Sequence, residues 1–556
     1  MSLIFQVPTI LEKHNIKHVV ISPGSRNAPL TISFARHDQF KKHIIADERS
    51  AAFIALGIAQ ITNTTVALVC TSGSAALNYA PAIAEAYFSN TPLVILTADR
   101  PPEWIDQQDG QTIRQEHVFG NHVRASFQLP VDTTHKDSAW EFCRKLNEAA
   151  NIAHTKQGPV HVNIPFREPF YPSEAITVDE SLKHISHTKL ERYFPEAFIN
   201  KYLEKIPDNV KILCIAGQGK RNEALDELIP QLGIPVISES IGNLVQSDNN
   251  IQKHDVFLPT LSEQQLEELK PDLLITWGGS VVSKNLKNFI RKYKPLHHWH
   301  ISANGESADT YQSLTASLQT EPIDFIHSLN AVSYNKTFLN AWQVLEEKAV
   351  NFVTAHFKND NSLSELNAFY TVLRHLPEDC SIHIGNSMPI RYVNLLGHPS
   401  PAPMNTFCNR GTSGIDGTLS TAMGVALATP EQLHIVLIGD MSFFYDRNAW
   451  WHNYPCHNLK VILFNNHGGG IFRMIDGPQD QTELEDYFVT TQKLTAKNLA
   501  TEYDINYFHA NNIDSLKGQL HKLLRDSTQP SILEIETDGL SDVKAFKSFK
   551  QQFKQS

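Results

Sequence analysis

Short, almost uninterrupted apolar runs alternate with helix-like stretches from one end of the chain to the other. Apolar runs separated by helices are typical of a parallel sheet whose two faces are both covered by helices. The runs fall into three groups, so the pattern predicts an α/β protein with three doubly wound parallel-sheet domains. They are HVVIS (18–22), VALVCTS (66–72), PLVILTA (92–98) and PVHVNIP (159–165), then KILCIAG (211–217), PVISES (235–240), LLITWGG (273–279) and HHWHIS (297–302), and finally SIHIGNS (381–387), MNTFCNRG (404–411), HIVLIGD (434–440), KVILFNN (460–466) and SILEIET (531–537).

Two stretches between the groups read as connections. FREPFYPSEAITVDES (166–181) is rich in proline and charge, which is typical of a connector. Residues 330–365 contain FLNAWQVLEEKAVNFVTAHF, which has the periodicity of a charged helical linker. We therefore expect domains at 1–180, 190–335 and 360–556.

Composition narrows the range of partners. The 556 residues are 41% hydrophobic and 19% charged, and 48 Lys and Arg against 59 Asp and Glu give a net charge of −11. The sequence has no run of basic residues that could contact the phosphate backbone of a nucleic acid, so nucleic acid is not expected as a partner. The first residues lack the pattern of a secretory signal, and no apolar run reaches the length of a membrane span, so we expect a cytoplasmic protein without a membrane span. The six cysteines are far apart without a CxxC pair, which predicts neither a disulfide framework nor a zinc site.

Two further patterns have competing interpretations. Gly217-Gln218-Gly219 follows a strand and Glu239 follows the next one, as in dinucleotide sites, but Asn222 occupies the third glycine position. A tight turn is the favoured interpretation. The histidines of residues 297–300 alternate along a predicted strand without a carboxylate partner, which favours a structural role over metal binding.

Residues 437–472 carry the most specific motif. Two apolar runs each end in a polar turn, Gly439-Asp440 after the first and Asn465-Asn466 after the second. A carboxylate and a carboxamide at neighbouring strand ends suit Mg²⁺, which prefers oxygen ligands. The alternative is that Asp440 caps a helix and the asparagines form a turn. The residues by themselves leave both interpretations open.

The spacing resembles a known cofactor motif. After Gly439-Asp440-Met441 come 24 residues before Asn466, as in the diphosphate-anchoring motif of thiamine diphosphate enzymes. That motif usually reads GDG, and Met441 departs from it. Such enzymes also need an acid that hydrogen-bonds N1′ of the aminopyrimidine. Glu48, between an apolar strand and an Ala-rich helix, is the candidate, although the triplet 47–49 also suits an ordinary helix start.

Further motifs extend the resemblance over essentially the whole chain, more weakly in the second domain. The chain resembles the 2-succinyl-5-enolpyruvyl-6-hydroxy-3-cyclohexene-1-carboxylate synthase family, thiamine diphosphate enzymes of menaquinone biosynthesis. That family tolerates an apolar residue at the position of Met441. The motifs are ISPGSRNAPLT (21–31), DERSAAFIALGIA (47–59), TSGSAALNYAPAIAEA (71–86), TADRPPE (97–103), QTIRQ (111–115), GNSMPIR (385–391) and NRGTSGIDGTLSTAMG (409–424).

The resemblance implies a pyruvate-oxidase-like architecture. Its pyrimidine-binding, central and diphosphate-binding domains would be the three predicted above, and active sites would form between the subunits of a homodimer, or of a homotetramer built from dimers. Glu48 would be the N1′ partner. Thiamine diphosphate would further be bound by Ser387, Ile415, Asp440, Met441, Asn466 and Gly468, with Mg²⁺, or Mn²⁺ in its place, held by Asp440, Asn466 and the Gly468 carbonyl.

The implied transferase decarboxylates 2-oxoglutarate and adds the succinyl carbanion in 1,4 fashion to isochorismate. The two substrates together carry four carboxylates, which suit guanidinium groups. Arg391 and Arg410 would be catalytic residues on the 2-oxoglutarate side, while Arg26, Arg100, Gln111 and Lys284 would hold isochorismate. Two alternatives are a different thiamine diphosphate carboligase acting on smaller substrates, and a cofactor-binding protein without catalysis.

Overall fold

The computed structural model describes residues 3–168, 170–172, 178–187, 202, 204, 206, 208–329, 334–358, 360–397, 405–525 and 528–556. Within these ranges the chain forms three six-stranded parallel sheets, which confirms the predicted fold class. The expected start of the second domain near residue 190 lies outside the described residues, as does part of the connector at 166–181.

The first sheet is built from residues 18–165 and has the order β2-β1-β3-β4-β6-β5. Its strands are β1 (His18–Ile21), β2 (Lys41–Ile44), β3 (Val66–Cys70), β4 (Leu93–Asp99), β5 (Ala125–Gln128) and β6 (Pro159–Pro165). The helices of this region are Val7–Glu12, Ala28–Ala35, Glu48–Thr62, Ser74–Asn78, Ala80–Phe88 and Lys136–Thr155. β4 and β6 pair along their whole length, so that Thr97 lies opposite Asn163.

The second sheet has the order β12-β11-β10-β7-β8-β9, the doubly wound arrangement in which the chain reverses direction across the sheet between β7 and β10. Its strands are β7 (Ile212–Ala216), β8 (Val236–Ser238), β9 (Asn250–Ile251), β10 (Leu273–Trp277), β11 (His297–Ile301) and β12 (Ala316–Leu318). Its helices are Glu223–Leu228, His254–Phe257, Glu263–Glu268, Lys284–Lys292 and Pro322–Ser328, and Lys336–Lys358 is the predicted helical linker. Leu213 and Ile215 pack into one core cluster while Ile212 and Cys214 pack into another, because alternate residues of a strand face opposite sides.

The third sheet repeats the order of the first, β14-β13-β15-β16-β18-β17. Its strands are β13 (Cys380–Ile384), β14 (Thr406–Phe407), β15 (Leu433–Gly439), β16 (Leu459–Asn465), β17 (Asn506–Ala510) and β18 (Ser531–Glu536). The helices are Glu365–Leu373, Met388–Leu396, Thr418–Ala428, Asp440–Tyr445, Lys497–Glu502, Ile513–Arg525 and Gly539–Gln555.

The sequence did not predict five of the strands, and all five lie at sheet edges: β2, β5, β9, β12 and β17. An edge strand has a neighbour on one side only, so it needs no continuous apolar run. The sequence KKHI of β2 shows this, because only His43 of its four residues is buried. The sixth edge strand, β14, is much shorter than the predicted run at 404–411.

The chain forms two compact units. One contains the first sheet together with Asn409–Glu431 and Ser442–Leu459, and the other contains the central sheet and almost all of the third. Two segments from the C-terminal third of the chain therefore complete the unit of the first sheet. Among the described residues, no helix combines the length and apolar character needed to cross a bilayer.

Candidate active site

The two polar strand ends of the sequence motif lie side by side in the third sheet. β15 and β16 are neighbouring strands, and Asp440 and Asn466 follow directly after them. Both side chains are buried, with 3% and 9% of their surface exposed. Because the carboxyl ends of parallel strands line the ligand-binding crevice of α/β proteins, the acid and the amide meet at the expected edge.

Asp440 is the first residue of the helix Asp440–Tyr445 and is held by several donors. The Nε2 of Gln492 donates to Asp440 Oδ2 at 2.7 Å. Burial raises the pKa of the Asp440 carboxyl to about 6, against the opposing effect of Gln492 and of the backbone N–H groups of Met441 and Gly468. The half-buried Met441 thus contributes its backbone, at a position where the usual motif has glycine.

Asn466 has one satisfied and one unsatisfied end. Its Nδ2 donates to Glu365 Oε2 at 3.4 Å, whereas its buried Oδ1 finds no hydrogen-bond partner in the described part of the chain. A buried acceptor without a donor costs roughly 1–3 kcal/mol, so it calls for an explanation. A carboxylate beside an unsatisfied amide oxygen is the donor set that a hard divalent cation prefers. The residues present therefore fit such an ion.

The loop after β16 is tightly folded. His467 has a φ of +63°, and a Cβ on Gly468 would lie 2.8 Å from the Val489 carbonyl, so only glycine fits there. The Gly468 carbonyl accepts the Gly470 N–H at 2.9 Å, which leaves its second lone pair for another donor or a cation. The Gly469 N–H donates to Val489 at 2.7 Å and ties the loop to the segment that follows.

Ser387 and Arg391 lie beyond the end of β13, the strand next to β15. Ser387 precedes the helix Met388–Leu396 with a φ of +74° and a ψ of −126°, a conformation that L-residues rarely adopt. The exposed Arg391 donates from Nη1 to the Ser387 carbonyl at 2.5 Å. Backbone strain at a strand end beside Asp440 marks this turn as a candidate binding element.

The central domain places Lys284 at the exposed start of the helix Lys284–Lys292. In front of it, the two oxygens of buried Glu239 accept the N–H groups of Val282 and Ser283, each at 2.6 Å. The carboxylate that a dinucleotide site would direct to a ribose is therefore used to hold this loop. Burial raises the pKa of Glu239 to about 7, against the effect of those two hydrogen bonds.

Two of the histidines at 297–300 have a structural arrangement. Nε2 of His298 and Nδ1 of His300 lie 3.0 and 2.9 Å from the Thr276 hydroxyl. Burial lowers the pKa of both rings, in His298 to about 4. The neutral pair thus serves the packing of β10 against β11.

Glu48 begins the helix Glu48–Thr62 in the other compact unit. The side chains on either side of it are engaged: Asp47 accepts the Ser50 N–H at 3.2 Å and caps the helix, and Arg49 donates to the Tyr445 carbonyl at 2.6 Å. For the half-buried Glu48 carboxylate, no hydrogen bond or ion pair is found within the described part of the chain. It is therefore available to a ligand.

The Glu48 helix crosses the helix Thr418–Ala428 at very short range. A Cβ on Gly57 would lie 2.0 Å from the Thr421 carbonyl, and a Cβ on Gly424 would lie 2.1 Å from the Ile54 carbonyl. Glycine at both positions lets the two backbones touch. The segment that leads into Thr418 is thereby held in the same unit as Glu48.

That segment carries Arg410 and Ile415. Next to Arg410, the Gly411 and Thr412 N–H groups donate to the buried Glu85 carboxylate at 2.8 and 2.6 Å. The Ile415 carbonyl accepts the Ser442 hydroxyl at 2.5 Å, while its apolar side chain remains 39% exposed. A fixed backbone with an exposed isoleucine suits a ligand-supporting role.

Arg26 is buried and lies close enough to Arg100 to feel its charge. Arg26 is 7% exposed, stacks 4.4 Å from the Phe170 ring centroid and donates to the Phe166 carbonyl. Burial lowers the pKa of Arg26, and the charge of Arg100 adds to this effect. Arg100 is held by Asp109 at 2.7 Å and by the Gly110 carbonyl at 2.7 Å.

Gln111 is exposed, with a φ of +56°, and its backbone packs against Gly73. The Gly73 N–H donates to Gln115 Oε1 at 3.1 Å, which fixes the same loop from the other side. Arg100 and Gln111 thus belong to one anchored loop region.

Sequence reasoning missed two residues of the third-domain site, Glu365 and Gln492. Glu365 starts a helix behind a Ser364 cap, and its carboxyl pKa is raised well above the usual range by burial and then by Asp542. Gln492 lies in an irregular polar segment that has no motif. The role of neither residue could be predicted from the sequence, because their hydrogen-bond partners lie far away along the chain.

Comparison with known proteins gives a consistent result over the whole chain. Three family models match: "Thiamine pyrophosphate enzyme, N-terminal TPP binding domain" over residues 1–125, "Middle domain of thiamine pyrophosphate" over 211–384, and "Thiamine pyrophosphate enzyme, C-terminal TPP binding domain" over 393–535. These models support thiamine diphosphate as the cofactor.

Three curated relatives carry the same name, 2-succinyl-5-enolpyruvyl-6-hydroxy-3-cyclohexene-1-carboxylate synthase. The chain is 43% identical to the protein of Cytophaga hutchinsonii over 100% of both chains. It is 40% identical to that of Flavobacterium johnsoniae, over 95% of this chain and 94% of the relative, and 37% identical to that of Porphyromonas gingivalis, over 97% and 95%. The chain belongs to the 2-succinyl-5-enolpyruvyl-6-hydroxy-3-cyclohexene-1-carboxylate synthase family of thiamine diphosphate-dependent transferases.

Proposed function

We propose that this protein decarboxylates 2-oxoglutarate and adds the remaining four-carbon unit to isochorismate by 1,4-addition. The products are CO₂ and 2-succinyl-5-enolpyruvyl-6-hydroxy-3-cyclohexene-1-carboxylate, in menaquinone biosynthesis. The name shared by the full-length relatives supports this reaction. The structural observation that carries the proposal is the buried pair of Asp440 and Asn466, because the amide oxygen of Asn466 has no hydrogen-bond partner among the residues that the structure describes.

Two groups of residues would make different contacts with the cofactor. Thiamine diphosphate, when bound, supplies the capacity to release CO₂ from a 2-oxo acid and to transfer the remaining group as a nucleophile. Asp440, Asn466 and the Gly468 carbonyl would hold Mg²⁺, or Mn²⁺ in its place, against the diphosphate. Glu48 would form a hydrogen bond with N1′ of the aminopyrimidine, and Ile415 would support the folded shape of the cofactor, with further contacts from Ser387 and Met441.

Cationic side chains would orient the substrate carboxylates. Arg391 and Arg410 are assigned to 2-oxoglutarate, since each follows a strand of the third sheet, β13 and β14 respectively. Arg26, Arg100, Gln111 and Lys284 are assigned to isochorismate. In this assignment a substrate carboxylate replaces Asp109 as the partner of Arg100, since a guanidinium group binds planar carboxylates through two parallel hydrogen bonds.

We further propose the domain limits 1–180, 190–335 and 360–556 and a cytoplasmic homodimer, or a tetramer of such dimers. In this arrangement the pyrimidine-binding domain of one subunit faces the diphosphate-binding domain of its partner. Support comes from the family resemblance.

The test combines protein, thiamine diphosphate, Mg²⁺, 2-oxoglutarate and isochorismate, and follows the loss of isochorismate absorbance together with CO₂ release. Equal molar amounts of isochorismate lost and CO₂ formed are expected. If pyruvate replaces 2-oxoglutarate equally well and isochorismate is not required, the chain is a different carboligase. If the cofactor binds but no substrate is consumed, a binding protein without catalysis is the better account.

A further inference from the structure

We propose that Gln492 is the positioning residue that locks Asp440 in the orientation needed to bind the cation. This inference rests on the proposed function, because it assigns Asp440 to the metal. It adds a residue that no sequence motif indicates. Gln492 would act through Asp440 and would not itself touch substrate or cofactor.

The side chain of Gln492 bridges the ends of two neighbouring strands. Its Nε2 donates to Asp440 Oδ2 at 2.7 Å, after β15, and to Asn465 Oδ1 at 3.2 Å, at the end of β16. A carboxamide nitrogen has two N–H groups, so both donors are used. One side chain thus fixes the separation of the two strand ends that carry the predicted metal ligands.

The orientation of this amide is determined by its surroundings. Its Oε1 accepts the backbone N–H of Leu494. A flipped amide would turn Oε1 towards the oxygens of Asp440 and Asn465, and would turn an N–H group towards the Leu494 N–H. Acceptors would then face acceptors and a donor would face a donor, so the observed orientation is strongly preferred.

The backbone around Gln492 is attached to the predicted metal loop. Its own N–H donates to the His467 carbonyl at 3.0 Å, and the Gly469 N–H donates to the Val489 carbonyl at 2.7 Å. The segment 489–492 is therefore docked on both sides of Gly468. A rigidly mounted donor can hold a metal-binding carboxylate in one rotamer, and such outer contacts typically change metal affinity by about 10–100-fold.

The hydrogen bond directs the other carboxylate oxygen away from Gln492. Oδ2 of Asp440 is held by the amide, and the Oδ1 of Asn466, for which the described residues offer no hydrogen-bond partner, lies at the end of the adjacent strand. The carboxylate is therefore already oriented in the folded protein, and binding the ion does not have to supply the free energy of ordering it.

The experiment compares Gln492→Met with Gln552→Met, which changes an exposed glutamine of the C-terminal helix. Methionine keeps the length of the side chain and removes both donors. Mn²⁺ binding is measured by electron paramagnetic resonance with thiamine diphosphate present and substrates absent, and Mg²⁺ titrations give kcat and the half-saturating metal concentration separately.

We expect Gln492→Met to raise the Mn²⁺ dissociation constant about 10–100-fold and the half-saturating Mg²⁺ concentration by a similar factor. Saturating Mg²⁺ should restore most of kcat, and Gln552→Met should match the original protein. Thermal unfolding of both cofactor-free variants monitors folding. If Gln492→Met binds Mn²⁺ as tightly as the control, or if saturating metal restores nothing, the positioning role is wrong. If the unmodified protein binds Mn²⁺ normally but consumes no isochorismate, the proposed function fails while this inference stands.

Discussion

The first and third sheets have the same strand order, and each has a buried acid and a buried amide near its strand ends. The two sheets differ in whether protein groups satisfy the hydrogen bonds of the amide. At the end of β4 and on β6, Asp99 and Asn163 form a closed network. Asn163 Nδ2 donates to Asp99 at 2.7 Å, and its Oδ1 accepts from Gln115 at 2.8 Å and from Thr97 at 2.9 Å. After β15 and β16, by contrast, the Oδ1 of Asn466 has no hydrogen-bond partner within the described ranges of the chain.

The difference shows what makes a polar strand end a binding site. Both sheets bring a buried acid close to a buried amide, because parallel strands with the same order end at the same edge. In the first sheet, protein donors satisfy the pair, so it stabilises the fold. In the third sheet one acceptor is left over, and a ligand must satisfy it. The unsatisfied atom, and not the residue types, distinguishes the two.

The largest effect is expected for Asp440→Asn. The substitution keeps the shape but removes the charge that a divalent cation needs, so activity should fall on the order of 10³-fold. Steady-state assays with varied Mg²⁺ measure it, with Asp99→Asn as the matched change in the first sheet. Comparable losses of Mn²⁺ affinity in both variants would remove the distinction between the two sheets.

The second effect concerns Glu48, at the start of the helix that follows β2 of the first sheet. Glu48→Gln removes the acid but keeps the size, so turnover should fall on the order of 10²-fold or more, as for a lost general acid–base group. Binding of thiamine diphosphate, followed by thermal shift with Mg²⁺, should change little. Normal turnover by this variant would contradict the assignment of Glu48 to the aminopyrimidine.

Substitutions of the two amides, Asn163 and Asn466, should have different effects on the free energy of unfolding. Asn163→Ala removes four hydrogen bonds, those with Asp99, Gln128, Gln115 and Thr97, so the free energy of unfolding should fall by about 3–4 kcal/mol. Asn466→Ala removes an acceptor that no described residue satisfies, and should lower the free energy of unfolding by about 1 kcal/mol or less in the cofactor-free protein. Urea denaturation of both cofactor-free variants measures the contrast, and equal losses would show that Asn466 is a structural residue.

A smaller effect is expected on the pH dependence of stability. It arises from Asp446, a second buried acid whose oxygens accept hydrogen bonds from protein groups. Its oxygens accept the Ser420 N–H and hydroxyl, each at 2.7 Å, and burial raises its pKa from 3.8 to about 6, against the effect of those bonds. The folded state therefore retains a proton that the unfolded chain releases, and this contribution to stability is present below pH 4 and lost as the pH rises to about 6.

Asp446→Asn should flatten this dependence. The difference in unfolding free energy between the original protein and the variant should change by up to about 3 kcal/mol across that pH range. Denaturation at several pH values measures it. An unchanged slope would mean that Asp446 ionises at its ordinary pKa.

The interior of the fold and half of the site could be predicted from the sequence for physical reasons. Central strands such as β15 and β16 are buried on both faces and must be apolar, and their ends then place Asp440 and Asn466. Edge strands such as β2 have no such requirement. Gln492 and the Asn163 network were beyond prediction, because a hydrogen bond between residues far apart in sequence leaves no spacing pattern.

The central claim is that Glu48 of one subunit and Asp440 of its partner bind the same cofactor. Mixing two inactive variants tests this claim most directly. Glu48→Gln and Asp440→Asn chains are combined under conditions that allow subunits to exchange, and isochorismate consumption is measured. If each site uses Glu48 of one subunit and Asp440 of the other, half of a random mixture is heterodimer, with one intact site in two. Activity should then return to about a quarter of that of the original protein. A mixture that exchanges subunits but remains as inactive as its components would contradict the shared site.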